Sequence, residues 1–253
     1  MENKMLDDCL KQLHLATIRA GFQEAAGLAV QNNLSYEQYL LNLVEQELET
    51  RTQKRIHRLQ RESKLPLEKT IAVFNRKRLP EKVNRLVAIL LQGDFTDKCE
   101  NVLAFGNPGS GKTHLLCAVG HELIRKGKRV LFSPCSLLVQ KLLMVKRDLK
   151  LSQYLKKIGK YDAIIIDDIG YVQQSRDEME VLFTLLADRY EKSSIMITSN
   201  LPFSQWEKIF KDPMTTAAAI DRLVHHSVIL ELNIDSYRLE KSKENISEEN
   251  REK

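Results

Sequence analysis

Residues 101–116, NVLAFGNPGSGKTHLL, place an apolar run, a glycine-rich turn and the start of a helical pattern in immediate succession. That order constrains the fold more than any other feature of the chain. Gly106-Asn107-Pro108-Gly109-Ser110-Gly111-Lys112-Thr113 satisfies G-x-x-x-x-G-K-[ST] at every fixed position, after a strand and before a helix as the motif requires. The glycines let the backbone curl so that successive N–H groups face a β-phosphate at the positive end of the following helix. Lys112 is expected to reach the β- and γ-phosphates, and the Thr113 hydroxyl to ligate Mg²⁺. A nucleoside triphosphate, ATP, is the ligand this turn implies. The turn does not say what the energy is used for.

Around it the pattern is strand alternating with helix. NVLAFG, RVLFSP, YDAIIIDD, SSIMITSN and SVILELN are short apolar runs, mostly continuous, as in strands buried on both faces of a parallel sheet. Helical stretches are expected at about 112–126, 136–158, 176–191 and 214–224. Together these predict an α/β fold of three layers over residues 99–239. Residues 1–65 carry a helical pattern instead and are expected to form a small helical N-terminal domain. Tyr39, Leu40, Leu43, Val44 and Leu48 fall on one helix face, and Ser35 with Gln38 reads as a capping box. Pro66 stops that helix and opens a basic connector, 66–98, leading into a helix near Pro80–Leu91. Residues 240–253 are almost devoid of apolar side chains and are expected to be a disordered charged tail.

A P-loop site needs an acidic residue ending a buried strand, and Ile164-Ile165-Ile166-Asp167-Asp168 supplies two. Asp167 is the expected holder of Mg²⁺, and Asp168 is placed to polarise the attacking water. The alternative for Asp168 is a cap for the next helix. The following strand ends in Thr198-Ser199-Asn200, where Asn200 is the candidate for orienting that water; opening the turn before Pro202 is its bland role.

GNPGSGKTHLL, YDAIIIDDIGY, MITSNLPFSQW, AAAIDRLVHHS and DSYR together resemble the IstB-type helper ATPases of bacterial insertion sequences, AAA+ proteins close to the DnaC-type helicase loaders. The resemblance spans roughly residues 35–240. It implies an AAA+ fold with no C-terminal lid, and an ATPase that oligomerises on duplex DNA and assists the transposase of the same element. It also implies ATP sites between subunits, with Arg222 as the arginine supplied by a neighbour and Arg238 as an in-subunit sensor. His114 follows the P-loop as in the resembling proteins, with no assigned role. Many relatives carry Glu at the position of Asp168, so slower hydrolysis is a consequence to test. The alternative function is a helicase loader acting on a replicative helicase; a small-molecule kinase would leave the basic segment unexplained.

That segment is dense. Residues 51–85 hold twelve Lys or Arg against Glu62, Glu68 and Glu81. Arg51, Lys54, Arg55, Arg58 and Arg61 recur every three or four residues, so one helix presents them as a stripe, at a cost in like-charge repulsion that a phosphate backbone would relieve. A solvated face is the alternative. No base-reading motif accompanies the stripe, so largely sequence-independent binding is expected. Lys146, Arg147 and Lys150, with Lys141, form a second candidate. Cys9, Cys99, Cys117 and Cys135 are widely spaced, which argues against a zinc site or a disulfide framework and for a reduced, cytoplasmic setting. His225 and His226 have no partner at metal-binding spacing in the sequence. No apolar run approaches the roughly 20 residues of a membrane span.

Overall fold

In residues 1–58, one of two compact units into which the chain divides, a buried carboxylate joins two of three helices. The computed structural model describes residues 2–169, 175–202, 205–206 and 213–237. Helices α1 (Glu2–Gln12), α2 (Ala16–Gln31) and α3 (Tyr36–Ser63) open the chain, α3 running on past the unit boundary. Leu10, Ile18 and Leu43 form the small core, with Leu15, Phe22, Ala25 and Tyr39 packed against it. The amino end of α2 lacks a side-chain cap of its own. Glu47, on α3, fills that role: its Oε2 accepts the Thr17 and Ile18 amides at 2.7 and 3.1 Å. A buried anion at a helix amino end offsets the positive pole and the orphan N–H groups. The expected capping box is formed, Ser35 N–H to Gln38 Oε1 at 3.1 Å and Gln38 N–H to Ser35 Oγ at 3.2 Å. The expected apolar face of α3 divides, however. Tyr39 and Leu43 pack inward, whereas Leu40, Val44 and Leu48 are 59%, 39% and 58% exposed.

Burial tends to raise the Glu47 pKa, but the Ile18 amide, Arg51 and the Thr17 amide outweigh it, and the carboxyl sits below its ordinary value. A lowered acidic pKa contributes stability that is complete above the unfolded value, about 4.3 for Glu, and is lost as pH falls through the lower folded value. Glu47→Gln is therefore expected to cost about 1–3 kcal/mol at neutral pH and to speed hydrogen exchange at the Thr17 and Ile18 amides of the full chain. Unchanged exchange at both amides would contradict the capping role.

Residues 59–253 form the second unit. It contains α4 (Glu81–Leu90), β1 (Asn101–Gly106), α5 (Lys112–Arg125), β2 (Val130–Pro134), α6 (Cys135–Arg147), α7 (Leu151–Ile158), β3 (Ala163–Ile169), α8 (Arg176–Arg189), β4 (Ser194–Ser199), α9 (Pro213–Val224) and β5 (Ser227–Leu232). The strands make one parallel sheet in the order β2-β3-β4-β1-β5, so β4 separates the P-loop strand from the acidic strand. Strand side chains alternate between faces. Leu103, Phe105, Ile164, Ile166, Ile195 and Ile197 join Leu138, Leu142, Leu182, Leu185 and Leu223 of α6, α8 and α9 in one core. On the opposite face α5 lies so close that a Cβ on Gly120 would meet Ile165 Cδ1 at 3.0 Å. Trp206 is fully buried in the same core as Phe105, the two rings 6.1 Å apart.

The single helix expected over 136–158 is two. Lys150 N–H reaches back to Val145 O at 2.8 Å and Leu149 N–H to Lys146 O at 3.0 Å, with Leu149 at φ +58°. That is the Schellman pattern with a leucine where glycine is usual, so no glycine advertises the break in the sequence. Among the described residues no helix is long and apolar enough to cross a membrane.

Candidate nucleotide site

β1 brings Gly106 hard against β5. With φ at +147°, a Cβ there would lie 2.2 Å from the Leu232 carbonyl oxygen, so only glycine fits. Gly111 opens α5 at φ +92°, and a Cβ on it would press within 3.1 Å of Phe74. Asn107 and Pro108 are exposed at the tip, and Ser110 N–H donates to Asn107 O at 3.2 Å, tightening the turn. Lys112 is buried at the head of α5, and its Nζ donates to the carbonyls of Gly106 and Asn107 at 2.8 Å each. Ser110 Oγ is buried without a hydrogen-bond partner. An orphan hydroxyl, a buried ammonium and the amino end of a helix make a donor set that suits a polyphosphate.

Thr113 is half-buried in the first turn of α5. Cys117 lies one turn further along the same side of α5, and its thiol is pushed up to about 12 by burial first, with Lys69 opposing and Asp167 and Glu68 adding. Asp167 therefore lies within electrostatic reach of that side of α5. The register between β3 and β4 slips between Ile166 and Ile169, so Asp167 and Asp168 together oppose Thr198 alone. This is a β-bulge, with Asp168 in the left-handed region at φ +64°. Asp tolerates that conformation better than most side chains.

Thr198 ties the bulge together. It accepts the Asp168 N–H at 2.7 Å and donates to Asp167 Oδ1 at 2.7 Å. Asn200 Nδ2 then donates to Asp168 Oδ1 at 3.1 Å. Asp167, Asp168 and Asn200 are thus brought together, and Thr198, quoted within the TSN tip but given no role, is the member that sequence reasoning missed. In the sequence it is marked only by a hydroxyl two residues before Asn200.

Two further segments close on the P-loop. His114 Nε2 meets Thr70 O at 3.0 Å, His121 Nε2 meets Pro66 O at 2.9 Å, and the Phe74 ring stands edge-on to His114 at 5.1 Å. His114 is thereby engaged with the connector. From the other end of the unit, Tyr237 N–H donates to Gly109 O at 3.1 Å. Arg78 joins the two segments, donating to Asp235 O at 3.0 Å and lying 5.2 Å over the Tyr237 ring. Arg238 lies outside the described residues.

Arg222 is remote from its own P-loop. Asn101, which starts β1, donates to Leu223 O at 3.2 Å, whereas the P-loop follows the other end of that strand. The Arg222 guanidinium rests 5.0 Å over the Phe183 ring. Of the basic residues, Arg51 is spent within its own unit: its Nε donates to Glu47 Oε1 at 2.7 Å and Nη2 to His14 O. Lys54, Arg55, Arg58 and Arg61 are exposed on α3. Lys146 pairs with Glu180 at 2.8 Å, while Arg147 and Lys150 are exposed where α6 gives way to α7.

A P-loop after β1, two carboxylates ending β3 and a polar tip on the intervening β4 define an ATP-binding protein of AAA+ architecture. The chain belongs to the family of IstB-like ATP binding proteins, whose family model matches residues 8–245. It is 42% identical over 90% of its length to an insertion sequence ATP-binding protein of Sinorhizobium fredii, covering 77% of that relative. To the insertion sequence IS5376 ATP-binding protein of Geobacillus stearothermophilus it is 36% identical, over 94% of this chain and 95% of the other. Among solved structures, the DnaC helicase loader superposes with a TM-score of 0.52 at 19% identity, over 61% of this chain and 89% of that one. DnaA bound to AMPPCP and single-stranded DNA superposes with a TM-score of 0.57 at 19% identity, over 74% of this chain and 57% of the other. At such identities these two likenesses speak for the fold alone.

Proposed function

We propose that the protein is a Mg²⁺-dependent ATPase that assembles on duplex DNA and assists the transposase of an insertion sequence. The observation that carries the reading is the linked set Asp167–Thr198–Asp168–Asn200 at the carboxyl ends of β3 and β4, beside a P-loop. Mg²⁺ would be held by Thr113 and Asp167, where it would neutralise charge that develops in hydrolysis. The protein's own share is positional. Thr198 fixes the Asp167 carboxylate, and the bulge turns Asp168 toward Asn200, so that base and water-orienting amide arrive as one pair. Arg222 acts on the site of a neighbouring subunit, and ATP thereby holds a homo-oligomer together. Arg238, next to the Tyr237 that touches Gly109, is proposed to sense the same nucleotide.

The near full-length likeness to insertion-sequence proteins favours this reading over a helicase loader, for which only the fold speaks. Strand transfer by the transposase of the same element should rise with this protein and ATP. Stimulation of helicase loading with no effect on transposition would reverse the choice.

DNA contact is proposed for the exposed part of the α3 stripe, Lys54, Arg55, Arg58 and Arg61, with Arg51 contributing charge while anchored to Glu47. Lys146, Arg147 and Lys150 are a second proposed contact. Each phosphate neutralised contributes about −0.9 to the slope of log K against log salt. Changing Lys54, Arg55 and Arg58 together to Ala should make that slope shallower by about 2.7, equally for unrelated duplex sequences. Fluorescence anisotropy across a salt series measures it, and an unchanged slope would remove the stripe from the interface.

A further inference from the structure

The fold gathers a ligand cluster that the sequence keeps apart. Helix α8 ends at Arg189, and the chain turns through Tyr190 and Glu191, the latter at φ +58°. Helix α9 ends at Val224 and is followed directly by His225 and His226. Asn101 pins the two turns near each other, its side chain donating to Leu223 O and accepting the Ile195 amide. One carboxylate oxygen of Glu191 and one ring nitrogen from each histidine then all lie within 4.8 Å of one another, on exposed side chains.

We propose that Glu191, His225 and His226 form a binding site for a borderline divalent transition-metal ion, with Zn²⁺ as its reference occupant. Two imidazoles and one carboxylate suit Zn²⁺ and its neighbours in the first transition row, whereas Mg²⁺ and Ca²⁺ prefer sets made of oxygen alone. Ligand bonds of about 2.0–2.2 Å bring donor atoms closer together than they stand here, a shift that rotation of exposed side chains supplies. A further partner is already in place: the Tyr190 hydroxyl lies 3.3 Å from His225 Nδ1. With the proton on Nδ1, His225 donates to Tyr190 and presents the Nε2 lone pair, the outer-sphere arrangement typical of metal-ligating histidines. The carboxyl end of α9 carries partial negative charge, which also favours a cation there. Three protein ligands leave positions for water or for a ligand brought by another molecule. The site is independent of the P-loop chemistry, but it shares a cleft with Arg222: Glu191, His226 and Arg222 line it together, as does Cys99.

Cys99 supplies the control. The full chain, carrying no polyhistidine tag and held in excess Mg²⁺, is titrated with Zn²⁺ by calorimetry and with Co²⁺ by absorption spectroscopy. The expected result is one Zn²⁺ per chain and a Co²⁺ spectrum without a thiolate charge-transfer band. Affinity should fall in His226→Gln, His225→Gln and Glu191→Gln by at least the 10–100-fold that loss of an outer-sphere partner costs. It should stay unchanged in Cys99→Ser. Glu191, His225 and His226 are exposed and Cys99 is half-buried, and unaltered circular dichroism and thermal unfolding would show that each variant folds. Zinc binding that survives the double change His225→Gln/His226→Gln, that vanishes with Cys99→Ser, or that is weak and superstoichiometric in every variant would overturn the proposal.

Discussion

Arg222→Ala is expected to lower ATP turnover by about 10³–10⁵-fold, the range for an arginine that meets the transferring phosphoryl group, while leaving nucleotide affinity nearly unchanged. The reason is positional. Leu223 lies at the amino end of β1 and the P-loop at its carboxyl end. Five residue steps of about 3.3 Å separate those ends by about 17 Å, so the guanidinium cannot serve the phosphates of its own chain. Its resting place over the Phe183 ring is worth about 0.5–1 kcal/mol at an exposed site, little enough to give up on assembly. Mixing supplies the decisive measurement. Lys112→Ala protein has no working P-loop but an intact Arg222; Arg222→Ala protein has the reverse. Phosphate release from the mixture should exceed that of either variant alone, because one interface in the mixture is complete. No recovery at any ratio, or wild-type turnover by Arg222→Ala alone, would remove Arg222 from the site.

The sheet and the P-loop were legible in the sequence because each leaves a local signature. Continuous apolar runs mark strands covered on both faces, and a motif with three fixed glycine-lysine positions leaves little room for another reading. The two carboxylates could be read from position alone, at the end of such a run. The bulge could not, since it depends on the register of β3 against β4, which no local pattern specifies. Thr198 went unassigned for the same reason: its value comes from standing opposite both aspartates. Histidines 225 and 226 had no ligand partner in the sequence, yet folding sets Glu191 beside them.

Charge was the least legible quantity. A count of lysines and arginines over 51–85 does not separate those facing solvent from those spent on internal carbonyls and carboxylates. Arg51 serves Glu47 and His14, Arg76 donates to Asn84 Oδ1 and Arg78 to Asp235 O, whereas Arg85 meets Glu81 on the exposed surface. Part of the basic connector is therefore a fastening. It ties residues 66–79 to the P-loop helix and to the segment that touches Gly109, so displacement of either segment would be felt at the nucleotide.

Asp168→Asn should reduce turnover by about 10²–10⁴-fold, the usual share of a positioned general base, with ATP affinity retained. The replacement keeps the size of the side chain, and Asn is also at ease in the left-handed region that Asp168 occupies at φ +64°. Loss of activity would then report on charge rather than on a collapsed bulge. Asn200→Ala removes the amide that donates to Asp168 Oδ1 and should lower turnover as well. The two effects should not multiply, because groups in contact that act on one water share their contribution. The double variant is expected to fall well short of the product of the single losses. Fully multiplicative losses would separate the two residues into independent roles. A wild-type rate for Asp168→Asn would instead leave Asp168 only its part in shaping the bulge, with the base to be sought elsewhere.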